Sequence, residues 1–235
     1  VIGVGAAATL LLGFATQAPV AEEYRQFPGV PTDSRTLRIK ERVEGIFLSG
    51  DYGRALLIYE KELAPLGDKY AQYMVGFMHL AGKGVTENAP EALAWYRLAA
   101  ERGEVPFIKA RDALRASLEQ AGLERSEARF AELWQRYGDR RLILDLIESD
   151  LQILRRGSVP TDGARVDEAS ESIAAGYAGS ESGDGYYRRV RARLVERLQY
   201  LPSTKDAADV GIENPALIKK LESEVRRELE ALNLP

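Results

Sequence analysis

With 235 residues, 45% of them apolar and 29% charged, the chain can bury a sizeable core and does not have the composition of a disordered segment. Its formal net charge of −4 and pI near 5.4 offer no global attraction for nucleic acid or anionic lipid. The lack of cysteine excludes disulfide frameworks, cysteine nucleophiles, thiolate metal sites and lipid attachment through cysteine, and a single histidine, His79, excludes two-histidine zinc sites.

Val1 to Ala15 is an uncharged apolar run of the length of a signal-peptide core, and short for a membrane span. Residues 1–21 are therefore expected to direct export, as a removed signal peptide or as an uncleaved anchor. Ala18 and Ala21 suit a cleavage site and Pro19 disfavours one. Residues 22–33 then form a short polar leader, the body lies outside the cytoplasmic membrane, and membrane contact is confined to residues 1–21 if they remain.

From about Arg35 to Ser49, Leu37, Val43, Ile46 and Phe47 predict an amphipathic helix, and residues 52–64 predict a second. Between and within them, Gly50-Asp51-Tyr52, Ala55-Leu56 and Tyr59 resemble the middle of a tetratricopeptide hairpin. The next helix carries Tyr70, Tyr73, Met74, Phe77 and Leu80 at three-and-four spacing, with the small residues Ala71 and Gly76 among them. Gly82-Lys83-Gly84 stops it, because glycine tolerates a left-handed helix end. Asn88 followed by Pro90 and Glu91 predicts a new start, with the Asn88 side chain accepting from a free backbone N–H and Glu91 reaching back to the cap. Ala92, Trp95, Tyr96, Ala99 and Ala100 then line a helix that ends at Gly103. Small residues on both helices let the axes approach and the aromatics fill what remains, giving an antiparallel hairpin.

This window resembles the Sel1-like repeat, a relative of the tetratricopeptide type. The resemblance rests on Ala71-Gln72-Tyr73, Gly76 with His79, Gly82-Lys83-Gly84-Val85, Glu91-Ala92, Trp95-Tyr96 and Ala99-Ala100-Glu101-Arg102-Gly103. His79 stands where the family usually has tyrosine, and Asn88 where aspartate is common. The match covers about one repeat period. It implies an all-α solenoid of stacked antiparallel hairpins that recognises other proteins through the concave face made by the first helices. By alignment of the two hairpins, Lys40, Glu44, Tyr70, Tyr73 and Phe77 are the expected partner-binding residues. Gly50, Tyr52, Ala55, Tyr59, Ala71, Gly76, Gly82, Gly84, Ala92, Trp95, Tyr96, Ala99, Ala100 and Gly103 are the expected structural ones.

Glycines at 50, 67, 84, 103, 122, 138 and 157 fall at the spacing of one helix plus its turn. They suggest that half-repeats continue as degenerate hairpins through 105–120, 124–137 and 139–155, so that the repeat region runs over residues 34–156. Residues 157–185 are rich in glycine, serine and acid and predict a loop holding a short helix. Residues 186–235 read as C-terminal helices. In the first of these, Tyr187, Val190, Leu194, Leu198 and Leu201 form the apolar face, placing the arginines between Arg188 and Arg197 on the wet side. In the last, Asn214-Pro215 opens a seam of Ile218, Leu221, Val225, Leu229 and Leu232, expected to cap the solenoid.

The sequence offers no nucleophile elbow and no phosphate loop, and its acid pairs are no more than a chain with 36 acids produces by chance. His79 reads as a packing residue. No catalytic, cofactor or metal residues are expected, and no nucleic acid partner. The resulting expectation is an exported, non-catalytic scaffold that binds another protein in the bacterial envelope. The alternative is a carbohydrate- or peptidoglycan-binding envelope regulator, with aromatics such as Trp95 or Trp134 against the glycan.

Overall fold

The computed structural model describes Pro28 and residues 33–157, 183–200 and 215–232; residues 1–21, nearly all of the leader and most of the 157–185 segment lie outside them. Among the described residues the regular structure is entirely helical. In chain order it comprises α1 (Ser34–Leu48), α2 (Tyr52–Ile58), α3 (Lys69–Ala81), α4 (Ala89–Ala99), α5 (Val105–Ser117), α6 (Gln120–Tyr137), α7 (Asp139–Gly157), α8 (Gly183–Tyr200) and α9 (Pro215–Leu232). The segment predicted as one helix over 52–64 changes pitch after α2. A π turn at Tyr59–Leu63 and a 3-10 turn at Ala64–Leu66 carry it to the next corner. No helix among the described residues is long and apolar enough to cross a membrane.

Short polar side chains set the helix starts by accepting otherwise orphaned backbone N–H groups. Asp33 accepts from Thr36 N at 2.6 Å, Asp51 from Arg54 N at 3.3 Å, Asp68 from Ala71 N at 2.8 Å and Asn88 from Glu91 N at 3.1 Å. The other half of the box predicted at Asn88 is absent. Asn88 N donates instead to His79 O at 2.8 Å, which frees the Glu91 carboxylate to accept from Trp95 Nε1 and from Arg129 Nε, each at 2.9 Å.

The chain divides between Leu142 and Ile143, inside α7, into two compact units. The repeat region expected over residues 34–156 runs past this division. In the first unit, α1 packs on α2, α2 on α3, and α3 on α4. The core between them holds Val43, Ala55, Ile58, Tyr59, Leu63, Ala71, Met74, Val75, Met78, Trp95 and Leu98. The α3–α4 crossing is closest at Gly76, where a Cβ would stand 2.6 Å from Tyr96 Cδ1 and 3.0 Å from Ala92 O.

The two hairpins are locked together by the turn after α3. Gly84, at φ +74°, lies so close to the start of α2 that a Cβ would stand 2.6 Å from the Tyr52 carbonyl carbon and 2.7 Å from Gly53 N. Lys83 places its ammonium 4.1 Å from the Tyr52 ring centre. Gly84→Ala therefore meets both backbone and an unfavourable φ. A loss of about 2 kcal/mol or more is expected, read as a lowered urea midpoint with an unchanged slope.

Past Gly103 the regular hairpin pattern is lost. Both α5 and α6 rest on α4, and they make little contact with each other, so 105–137 does not form the degenerate hairpin the glycine spacing suggested. Gly122, taken there as a stop, sits inside α6, next to Leu118 and Pro90.

In the second unit, Ile143, Leu144, Ile147, Leu151 and Leu154 of α7, Val190, Leu194 and Leu198 of α8, and Leu221, Val225 and Leu229 of α9 are buried. Of the C-terminal seam, Leu221, Val225 and Leu229 are thus covered, and α9 is tied to α7 by Arg155–Glu222 at 3.7 Å and Arg226–Glu148 at 4.0 Å. The arginines of α8 divide. Arg188, Arg189 and Arg191 are exposed as expected, but Arg193 and Arg197 turn inward to the buried Asp150, with Arg193 Nη2 at 2.5 Å. Arg197 also donates to Leu146 O at 3.0 Å. An apolar-face reading misses such a pair because arginine buries its stem as readily as an aliphatic side chain.

Candidate protein-recognition surface

The five residues expected to bind a partner come from α1 and α3, and all are half-buried. Lys40 Nζ lies 2.5 Å from Asp68 Oδ2, so the cation on α1 holds the residue that caps α3. Glu44 Oε1 accepts from Tyr59 OH at 2.9 Å. Burial, reinforced by Glu44, pushes the Tyr59 phenol far above its ordinary value, and it stays a neutral donor. Tyr70 approaches Tyr59 edge-on with ring centres 6.4 Å apart, and Phe77 lies 6.3 Å from Phe47. Tyr73 stacks on Tyr96 at 5.1 Å and meets Phe107 at 5.4 Å. Each of the five is therefore held by a neighbour in the first unit while part of it remains open to solvent. Aromatic side chains fixed in this way lose little entropy on binding.

The residues expected to build the repeat lie at close contacts or turns. Ala55, Ala71, Ala92 and Ala99 are fully buried, Ala100 nearly so, and Tyr59, Trp95 and Tyr96 are each 1% exposed. Tyr52 is half-buried against the first core. Gly50, Gly82, Gly84 and Gly103 have positive φ. Trp95 donates to Glu91 and stacks on Tyr137 at 5.8 Å, so it offers no face to a glycan. Trp134 is half-buried and donates to Glu101 Oε1 at 3.1 Å. His79 is half-buried, and burial lowers its pKa, as suits a packing residue that remains neutral at pH 7.

An ionic cluster that helical periodicity does not mark lies at the end of the hairpin. Lys69, 3% exposed, reaches Glu101 Oε2 at 2.9 Å, Asp139 Oδ1 at 3.0 Å and Leu98 O at 3.1 Å. Arg102 grips Asp139 with two bonds of 2.8 Å, and Asp139 N donates to Glu101. Two cations and two anions thus join the start of α3, the turn after α4 and the start of α7. Burial alone would raise the Asp139 pKa, but Arg102 and Lys69 hold it below the ordinary value. Among the described residues no cluster of acids and histidine could hold a metal ion.

The family model described as Sel1 repeat matches residues 69–104, which span α3, α4 and the turns that bracket them. Sel1 repeats generally mediate protein–protein interaction, and proteins that carry them are typically non-catalytic scaffolds. Neither the curated proteins nor the solved structures yield a match to this chain.

Proposed function

We propose that this chain is a non-catalytic scaffold that holds another protein, acting outside the cytoplasmic membrane in a bacterial envelope. The observation that carries the reading is the Sel1 hairpin itself. Its first helix leaves Tyr70, Tyr73 and Phe77 half-open beside Lys40 and Glu44 of the preceding hairpin, on a surface of fixed rings and paired charges. Such a surface suits a polypeptide that supplies both apolar and polar groups. The apolar run Val1 to Ala15 supports the location, by length and composition.

The test is cross-linking of an affinity-tagged full-length chain in its native host, followed by mass spectrometry of the envelope fraction. One stoichiometric protein partner, cross-linked through residues 35–105, is the expected result. Recovery of the bare chain, or of the chain with glycan alone, overturns the scaffold, and absence of the chain from the envelope fraction overturns the location.

A further inference from the structure

The flank of α1 that faces away from Lys40 and Glu44 is basic and open. Arg35, Arg38 and Arg42 are exposed and line an open groove together with Ile39, Glu41 and Glu62. Three and four residues apart, these arginines stand on one side of the helix, about 4.5 and 6 Å from one another along its axis. Arg42 meets Glu62 only at 3.5 Å, with both side chains well exposed, and such a contact is weak. Arg35 and Arg38 form no ion pair with any described residue.

Further along the same helix, Gly45 stands seven residues after Arg38 and three after Arg42. A Cβ there would meet nothing within 4 Å, so no described neighbour requires glycine at a helical position where it costs stability relative to alanine. One turn later Leu48 is 81% exposed. Cations in register and a gap in the side-chain layer on one helical face, with an open leucine at its edge, are features that let a second helix approach closely and stay.

We infer that this face of α1 docks an acidic amphipathic helix from a partner protein. Carboxylates at i, i+3 or i+4, and i+7 of that helix match the arginine spacing, and its apolar side chains settle over Gly45 against Leu48. A flat anionic bilayer fits less well, because Glu41 and Glu62 in the groove repel a continuous layer of phosphates, whereas a helix sets its carboxylates only where the arginines stand. The face is separate from the Tyr70–Phe77 surface, so each can fail without the other.

The experiment is fluorescence anisotropy of the full chain with a labelled synthetic alanine-rich helix that carries one glutamate edge and leucines beside it. A second peptide has glutamine in place of glutamate. The acidic peptide is expected to bind at least about tenfold more tightly than its glutamine counterpart, with affinity falling as salt is added. Arg35→Glu combined with Arg38→Glu should weaken binding at least about tenfold with melting unchanged, since neither side chain forms an ion pair with a described residue. Gly45→Gln should weaken binding while leaving melting unchanged or raised. Equal binding of the two peptides, or full binding by the double variant, overturns the proposal. Sedimentation of the chain with phosphatidylglycerol vesicles that is lost in the double arginine variant, without peptide binding, assigns the face to lipid and overturns it equally.

Discussion

Gly76→Leu is expected to destabilise the first unit severely, seen as a melting transition in circular dichroism shifted far below that of the parent or lost. The first carbon of any side chain at this position would overlap the Tyr96 ring. That ring is 1% exposed and stacked on Tyr73, so it cannot swing aside. Overpacking a rigid site typically costs 1–3 kcal/mol, and a leucine set against both a ring and the Ala92 carbonyl belongs at or above the top of that range, about 3 kcal/mol or more. Domains of this size are stable by only about 5–15 kcal/mol, which makes the loss a large share. Gly76→Ala should be milder, and adding Tyr96→Leu to Gly76→Leu should recover part of the stability by vacating the ring's volume. If Gly76→Leu melts like the parent, the two helices do not cross at this residue.

Asp139→Asn is expected to cost about 3 kcal/mol at pH 7, because it removes the buried carboxylate that pairs with both Lys69 and Arg102. The pH dependence gives a second readout. Asp139 has a folded pKa below its unfolded value of about 3.8, so its contribution is complete above pH 3.8 or so and is lost as pH falls through the folded value. The parent should therefore lose stability more steeply than Asp139→Asn below about pH 4, and the two curves should converge in acid. Removing charge in pairs should be gentler: Lys69→Met with Glu101→Gln is expected to cost less than Lys69→Met alone. Parallel acid curves for the parent and Asp139→Asn would show that the carboxylate is not held by its neighbours in solution.

The hairpin of residues 69–103 was legible because its signals are local. A capping Asn88, a stop at Gly82 and a small residue at Gly76 each act within a turn or across one crossing. The buried face of α3 was read less well. Tyr70, Tyr73, Phe77 and Leu80 are half-buried, while Ala71, Met74, Val75 and Met78 lie deepest, because α3 packs on both α2 and α4 and buries more than one stripe. Glu91 followed the same logic. A capping box needs only local sequence, but Arg129, 38 residues later, competes for the carboxylate as a charged donor. The Lys69, Glu101, Arg102, Asp139 cluster has no periodic signature, since its members are brought together by three separate elements. Past Gly103 the glycine spacing misled because a glycine inside a helix, such as Gly122, looks in sequence like one at a turn.

The place of α4 has a consequence for how the first unit comes apart. In an array where each repeat touches only the next, end repeats fray before the middle and amide exchange grades smoothly along the chain. Here one eleven-residue helix, Ala89–Ala99, is held by α3 on one side and by α5 and α6 on the others. None of these can lift away without uncovering it. Backbone amides of α3, α4 and α6 should therefore exchange together, by one opening reaction with a single free energy, rather than in the order of the chain.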